Sequence, residues 1–125
     1  MILDTNALSA LQEQDEKLLS KIQDQPALIL NLISLGEYRF GVDGSRHRTI
    51  ILEWLDVLIL KATVLSPDVE TLPFYSLIRH ELKSAGTPVP ANDVWIAALC
   101  RQHNLPVLSR DTHFDKVNGL HRITW

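Results

Sequence analysis

The chain has little cysteine and no excess of basic charge. Cys100 is its single cysteine, which excludes an intrachain disulfide and agrees with a reducing, cytoplasmic location. Because it lies in the apolar run "WIAALC", we expect Cys100 to be a small core residue. The formal net charge of -3 gives no general attraction to nucleic acid, so nucleic-acid binding would need a local basic patch or bound cations.

Long hydrophobic runs are also missing. The longest apolar stretch, "TIILEWLDVLIL" (49–60), contains Glu53 and Asp56 and is too short and too charged to cross roughly 30 Å of hydrocarbon. We therefore expect no membrane association and interpret this stretch as a core or interface helix. The opening "MIL" meets Asp4 at once and lacks the basic and apolar regions of a signal peptide, so secretion is not expected.

No repeat, low-complexity run or linker-like segment interrupts the chain, which predicts a single domain over residues 1–125. Short apolar runs alternate with longer amphipathic ones, which predicts an α/β fold with a mostly parallel sheet covered on both faces. The predicted strands are "MIL" (1–3), "ALILNLI" (27–33), "ATVLS" (62–66), "PVLS" (106–109) and "HRITW" (121–125). The predicted helices are 7–12, 15–24, 35–42, 46–60, 68–85 and 91–103.

Four carboxylates stand at or just beyond the ends of predicted strands. Asp4 ends the first strand, and Glu37 opens the helix after the second. Asp93 falls in the first turn of the last helix, where Asn92 is the expected cap, and Asp111 follows the fourth strand. Because ligands of open parallel sheets bind beyond the carboxyl ends of the strands, these four acids are expected to meet at one edge.

Each acid alone has an ordinary explanation as a helix cap, a partner of a helix dipole or a turn residue. Together, however, clustered carboxylates repel one another unless cations neutralise them. Oxygen-only ligands favour Mg2+ or Mn2+, and the five histidines show no paired ligand spacing that would favour zinc. Only His113, two residues after Asp111, is a further candidate. Carboxylate-held divalent ions activate water and stabilise in-line displacement at phosphorus, so the pattern predicts phosphodiester hydrolysis.

Polar and basic neighbours of these acids form a second group of candidates. Thr5, Asn6 and Ser109 could orient the ligands or water, although capping and turn formation explain them as well. Several basic residues are possible phosphate contacts, and most of them are expected to be solvated charges: Arg39, Arg46, Arg48, Arg79, Lys83 and Arg110.

Four segments, in order and with compatible spacing, resemble the PIN-domain family, and specifically the VapC-type ribonuclease toxins of bacterial toxin–antitoxin pairs. The resemblance covers nearly the whole chain. Its segments are "MILDTNALSAL" (1–11), "ISLGEYRFGV" (33–42), "LKSAGTPVPANDVWIAALC" (82–100) and "LPVLSRDTHFDKVNGL" (105–120).

This resemblance implies a three-layer α/β/α sandwich around about five mostly parallel strands, and an endoribonuclease that depends on Mg2+ or Mn2+. The family's acids carry over onto Asp4, Glu37, Asp93 and Asp111, with Asp115 as a second candidate for the fourth. The implied partners are the RNA substrate, a second copy in a homodimer and a small antitoxin. The antitoxin would lay a helix into an apolar groove, to which 49–60 or the helix at 15–24 could contribute.

Other functions remain open at this point. One is a non-catalytic module that keeps the fold and binds a partner, and another is a metal-dependent DNA or structure-specific nuclease. A haloacid-dehalogenase-like phosphatase would need an aspartate where Asn6 stands. A phospho-receiver domain would need a lysine at a late strand end, where the chain has "SRD" (109–111). Neither of these last two fits.

Overall fold

Five short apolar segments pair into one sheet with the order β3-β2-β1-β4-β5, and all four pairings are parallel. The computed structural model describes residues 1–125. The strands are β1 (Ile2–Leu3), β2 (Ile29–Asn31), β3 (Thr63–Leu65), β4 (Val107–Leu108) and β5 (Arg122–Ile123). All five predicted strands are confirmed, but each is shorter than its apolar run. The run around β2 is longer than the strand because Leu28 and Ile33 pack against the cores without pairing. Burial does not explain the run around β3, where the paired Thr63 and Val64 are exposed.

Six helices follow the predicted order. They are α1 (Thr5–Gln12), α2 (Glu16–Ile22), α3 (Leu32–Val42), α4 (Arg48–Lys61), α5 (Leu72–Ala85) and α6 (Ala91–His103), with 3-10 turns at Val69–Thr71 and Thr112–Lys116. α3 begins earlier than predicted because the side chain of Asn31 accepts the backbone N–H of Ser34 at 2.8 Å and caps the helix. Glu37 therefore lies in the second turn of α3 and does not open it.

The strands place adjacent residues on opposite faces of the sheet. Ile2 and Val107 pack with α5 and α6, whereas Leu3 and Leu108 pack with α1 to α4. This alternation produces two hydrophobic cores and confirms the predicted three-layer α/β/α arrangement. Cys100 is buried in the first core, as expected, and burial raises the pKa of its thiol to about 12.

The prediction that Asn92 caps α6 is wrong. Pro90 occupies the cap position, no side chain caps the helix, and Asn92 lies within its first turn. Proline there fixes an extended backbone immediately before the helix, which sets the residue at which α6 begins.

The apolar stretch 49–60 forms most of α4 and is buried on one side only. Leu55 is its only fully buried residue, and the side chains of Ile50 and Leu60 are 68% and 86% exposed. One side of α4 nevertheless packs on the second core, because Leu55 belongs to it and Ile51, Leu52, Trp54, Leu58 and Ile59 lie partly buried against it. The core interpretation therefore holds for that side only, and an interface on the exposed side stays a prediction. None of the helices has the length and apolar character needed to span a membrane.

Candidate metal centre

The carboxyl ends of β1 and β4, with the starts of α1 and α6, surround a cleft of about 330 Å3. All four predicted acids line it. The complete lining is Asp4, Thr5, Asn6, Glu37, Pro90, Asn92, Asp93, Ile96, Asp111 and His113. Residues far apart in the chain therefore meet at the edge of the sheet that the strand-end rule indicates.

Asp4 is both a helix cap and a member of the cleft. Its carboxylate accepts the backbone N–H of Ala7 at 2.8 Å, which caps α1, and also accepts the hydroxyl of Ser109. The residue is only 4% exposed, and this burial raises the pKa of Asp4 to about 6. The two hydrogen bonds lower the pKa, while the charges of Asp111 and Asp93 raise it further.

Ser109 holds two of the acids relative to each other. It follows β4 and is fully buried. Its hydroxyl donates to the carboxylate of Asp4 and accepts the backbone N–H of Asp111 at 2.9 Å. A single side chain thus links the end of β1 to the segment after β4.

Asp93, Asp111 and His113 form a tighter group within the cleft. Nδ1 of His113 lies 3.1 Å from Oδ1 of Asp111 and 3.4 Å from Oδ2 of Asp93. One ligand atom from each residue lies within 4.8 Å of the others, a spacing that could hold a metal ion. Burial raises the pKa of Asp93, and the neighbouring charge of Asp111 raises it further.

Glu37 supplies an acceptor that nothing in the chain satisfies. Its Oε2 accepts the hydroxyl of Thr5 at 3.4 Å, whereas its Oε1 is buried and has no hydrogen-bond partner. A buried acceptor without a partner costs about 1–3 kcal/mol, a cost that a bound cation would remove. Together with the raised pKa values of Asp4 and Asp93, this orphaned oxygen fits an oxygen-ligated divalent ion.

Two of the other candidate residues, Asp115 and Arg110, lie outside the cleft. Asp115 forms a two-point ion pair with Arg122 at 2.8 and 2.9 Å, and Nη1 of Arg122 donates to the backbone carbonyl of Ser109 at 3.1 Å. Asp115 therefore braces the segment that carries Ser109, and Asp111 is the fourth acid that lines the cleft. The guanidinium of Arg110 lies 4.6 Å from the ring centre of Trp125 and likewise does not line it.

The sequence did not indicate three of the residues that line the cleft, which are Pro90, Asn92 and Ile96. Asn92 was expected only as a helix cap. Helical spacing contains a signal for one of them, since Ile96 stands three residues after Asp93 and shares its helix face. Its side chain is buried and contributes the apolar part of the lining.

Replacing Ser109 by alanine is expected to weaken divalent-ion binding by about tenfold, in the range found when partners of metal ligands are removed. The variant loses the hydrogen bond that lowers the pKa of Asp4 and leaves the N–H of Asp111 without its acceptor. Calorimetric titration with Mn2+ measures the change. Ser9→Ala is the control, because the hydroxyl of Ser9 donates only to a backbone carbonyl within α1. Equal Mn2+ affinity in both variants would contradict the role of Ser109.

A family model of the PIN domain matches residues 1–120. The chain belongs to the PIN-domain family. Among curated proteins, this PIN domain is 32% identical to VapC ribonuclease Y4jK of Sinorhizobium fredii, over 96% of this chain and 93% of that protein. It is 30% identical to ribonuclease VapC5 of Mycobacterium tuberculosis, over 94% of this chain and 87% of that protein. These matches confirm the resemblance to VapC-type ribonucleases.

Solved structures agree with the PIN fold. FitAcB from Neisseria gonorrhoeae superimposes with a TM-score of 0.87 at 26% identity, over 98% of this chain and 95% of that one. DNA-bound VapBC from Salmonella typhimurium has a TM-score of 0.88 at 24% identity, over 99% and 96% of the two chains, and supports the fold alone.

Proposed function

We propose that residues 1–125 form one PIN domain that acts as a metal-dependent endoribonuclease and as the toxin of a bacterial toxin–antitoxin pair. The observation that carries this proposal is the gathering of four carboxylates in one cleft, with a buried oxygen of Glu37 left without a partner. The ribonuclease names of the curated relatives support the reaction class.

In this proposal Asp4, Glu37, Asp93 and Asp111 hold Mg2+ or Mn2+. Such an ion, when bound, activates water and stabilises the charge that develops on the phosphate oxygens during in-line displacement. The chain's own residues prepare the site. Hydrogen bonds from Ser109 and from the N–H of Ala7 fix both oxygens of Asp4.

The remaining polar side chains orient ligands and substrate. Thr5 donates to Oε2 of Glu37, which leaves Oε1 as the oxygen that would be available to a cation. With a proton on Nδ1, His113 donates to Asp111 and lies against Asp93, which aligns the two carboxylates. Asn6 is exposed at the cleft and presents an amide that can donate to a phosphate oxygen and accept from water.

The proposed partners are a small antitoxin and a second copy of the chain, in the cytoplasm. Support for the antitoxin comes from solved structures of similar fold, one of them described as a toxin-antitoxin complex from Klebsiella pneumoniae. A groove beside α2, lined in part by Leu19, Ile22 and Leu28, and the exposed side chains of α4 offer apolar surface for a partner helix.

The test is cleavage of structured RNAs, including tRNAs, and of matched single-stranded and duplex DNA, in EDTA, Mg2+ or Mn2+. The proposal expects RNA cleavage that needs the metal and leaves DNA intact. Preferential cleavage of DNA would indicate a DNA nuclease instead. RNA binding without cleavage at any Mn2+ concentration would indicate a non-catalytic module.

A further inference from the structure

A second concave surface lies at the end of α5 and along the loop to α6. Its volume is about 550 Å3, and no carboxylate lines it. We call it the cationic cavity, and its lining is Arg79, His80, Leu82, Lys83, Gly86, Thr87, Pro88 and Val89. The chain has a net charge of -3, so a cavity lined by basic side chains and by no acid is more positive than the chain as a whole.

The two strong cations of this cavity are not neutralised by the protein. Arg48, Arg101 and Arg122 each form an ion pair with an aspartate or glutamate, but neither Arg79 nor Lys83 forms one. Both residues are exposed. Their charges are therefore available to an anion from outside the chain.

Arg79 is held in place by one aromatic side chain, that of Tyr75. Its Nη1 donates to the hydroxyl of Tyr75 at 3.3 Å, and its guanidinium carbon lies 5.7 Å from the centre of that ring. Tyr75 in turn stacks on Trp95 of α6, with ring centres 3.8 Å apart. A cation restrained in this way loses less conformational entropy when it binds an anion. Trp95 stands two residues after Asp93, so the stack connects Arg79 to the helix that carries an acid of the metal cleft.

The cationic cavity adjoins the metal cleft along the chain. Val89 lines the cavity, and the next residue, Pro90, lines the cleft. The loop between them is stiff because Pro88 and Pro90 restrict its backbone, and it begins at Gly86, whose positive φ of 67° ends α5.

We propose that the cationic cavity binds the phosphate backbone of the RNA strand beside the scissile phosphodiester, with Arg79 and Lys83 as the phosphate contacts. This inference rests on the proposed ribonuclease function. A cation in the cleft neutralises the carboxylates only locally, so neighbouring phosphates are repelled unless other positive charges lie beside the cleft. Lys83 also complements the carboxyl end of the α5 dipole, but Arg79 lies too far from that end for the same explanation.

The experiment uses a fluorescein-labelled single-stranded RNA of about 20 nucleotides, with binding followed by anisotropy in EDTA across a KCl series. The double variant Arg79→Gln/Lys83→Gln is expected to bind about tenfold more weakly. The slope of log affinity against log salt concentration should be shallower by about 1.4, the value for two phosphates of a single strand.

Cleavage kinetics give a second readout. With Mn2+ and an RNA that the parent cleaves, KM should rise while kcat stays near the parent's value. The control is Lys17→Gln/Lys21→Gln on α2, which removes two exposed charges that line neither cavity.

Three outcomes separate this inference from the proposed function. Weaker RNA binding and a shallower salt slope in the Arg79/Lys83 variant, with both unchanged in the Lys17/Lys21 control, would support it. A parent that cleaves RNA while that variant keeps the parent's affinity, slope and KM would overturn the cationic cavity and leave the ribonuclease intact. A parent that neither binds the labelled RNA nor cleaves any RNA with Mn2+ would overturn both.

Discussion

Replacing Asp4 by asparagine is expected to lower metal-dependent RNA cleavage by more than about 100-fold, since loss of residues that only support a metal ligand already costs about 10- to 100-fold. Asparagine keeps an acceptor for the N–H of Ala7, so the cap of α1 and the fold should persist. It removes the negative charge at the most buried acid of the cleft. Single-turnover cleavage with saturating Mn2+ measures the change in the chemical step.

The matched control for this substitution is Asp24→Asn, because Asp24 is exposed and forms no ion pair. Circular dichroism establishes that both variants are folded. If folded Asp4→Asn cleaves RNA at the rate of the Asp24 control, Asp4 is not part of the catalytic site.

The same substitution is expected to stabilise the metal-free protein at neutral pH. Because the pKa of Asp4 is raised from 3.8 to about 6 in the folded chain, the folded state holds the proton more tightly, and the ionised carboxylate disfavours folding. This cost is absent below about pH 4 and grows as the pH rises from the ordinary pKa towards the raised one. Above the raised pKa it is about 3 kcal/mol, because each pKa unit corresponds to about 1.36 kcal/mol. Asp4→Asn removes it.

Urea denaturation in EDTA at about pH 4, 6 and 8 gives the free energies of unfolding that test this linkage. The gain in Asp4→Asn over the parent should be largest at the highest pH and near zero at the lowest. Added Mn2+ should stabilise the parent, because the ion binds the folded state, and should stabilise the variant less. A gain that does not change with pH, or a variant that is less stable than the parent at about pH 8, would contradict the account.

Much of the cleft follows from a local rule applied to the sequence. Asp4 and Asp111 come directly after β1 and near the end of β4, which are neighbours in the sheet, so their proximity needs only the strand assignments. The start of α3 had a local signal too, since Asn31 precedes Ser34 at the spacing of a cap. That signal competed with a continuous apolar run, and the run suggested a longer strand.

Other features depend on tertiary contacts that no local pattern contains. Asp115 and Asp111 are both acids just after β4, and only the pairing of β5 with β4 brings Arg122 against Asp115. The burial of Asp4 and the orphaned oxygen of Glu37 likewise arise from side chains that meet across the sheet edge. For α4, composition indicates a buried helix, and only the packing of the layers leaves Ile50 and Leu60 exposed.

In the proposed function, RNA cleavage depends on a divalent ion that the four carboxylates bind. Anomalous diffraction from crystals soaked in Mn2+, at the concentration that supports cleavage, locates such an ion. We expect an anomalous peak in the cleft within about 2.0–2.3 Å of oxygens of Asp4, Glu37, Asp93 or Asp111, and no such peak in Asp4→Asn crystals soaked alike. An empty cleft in parent crystals of an RNA-cleaving preparation, or a peak that persists unchanged in the variant, would contradict it.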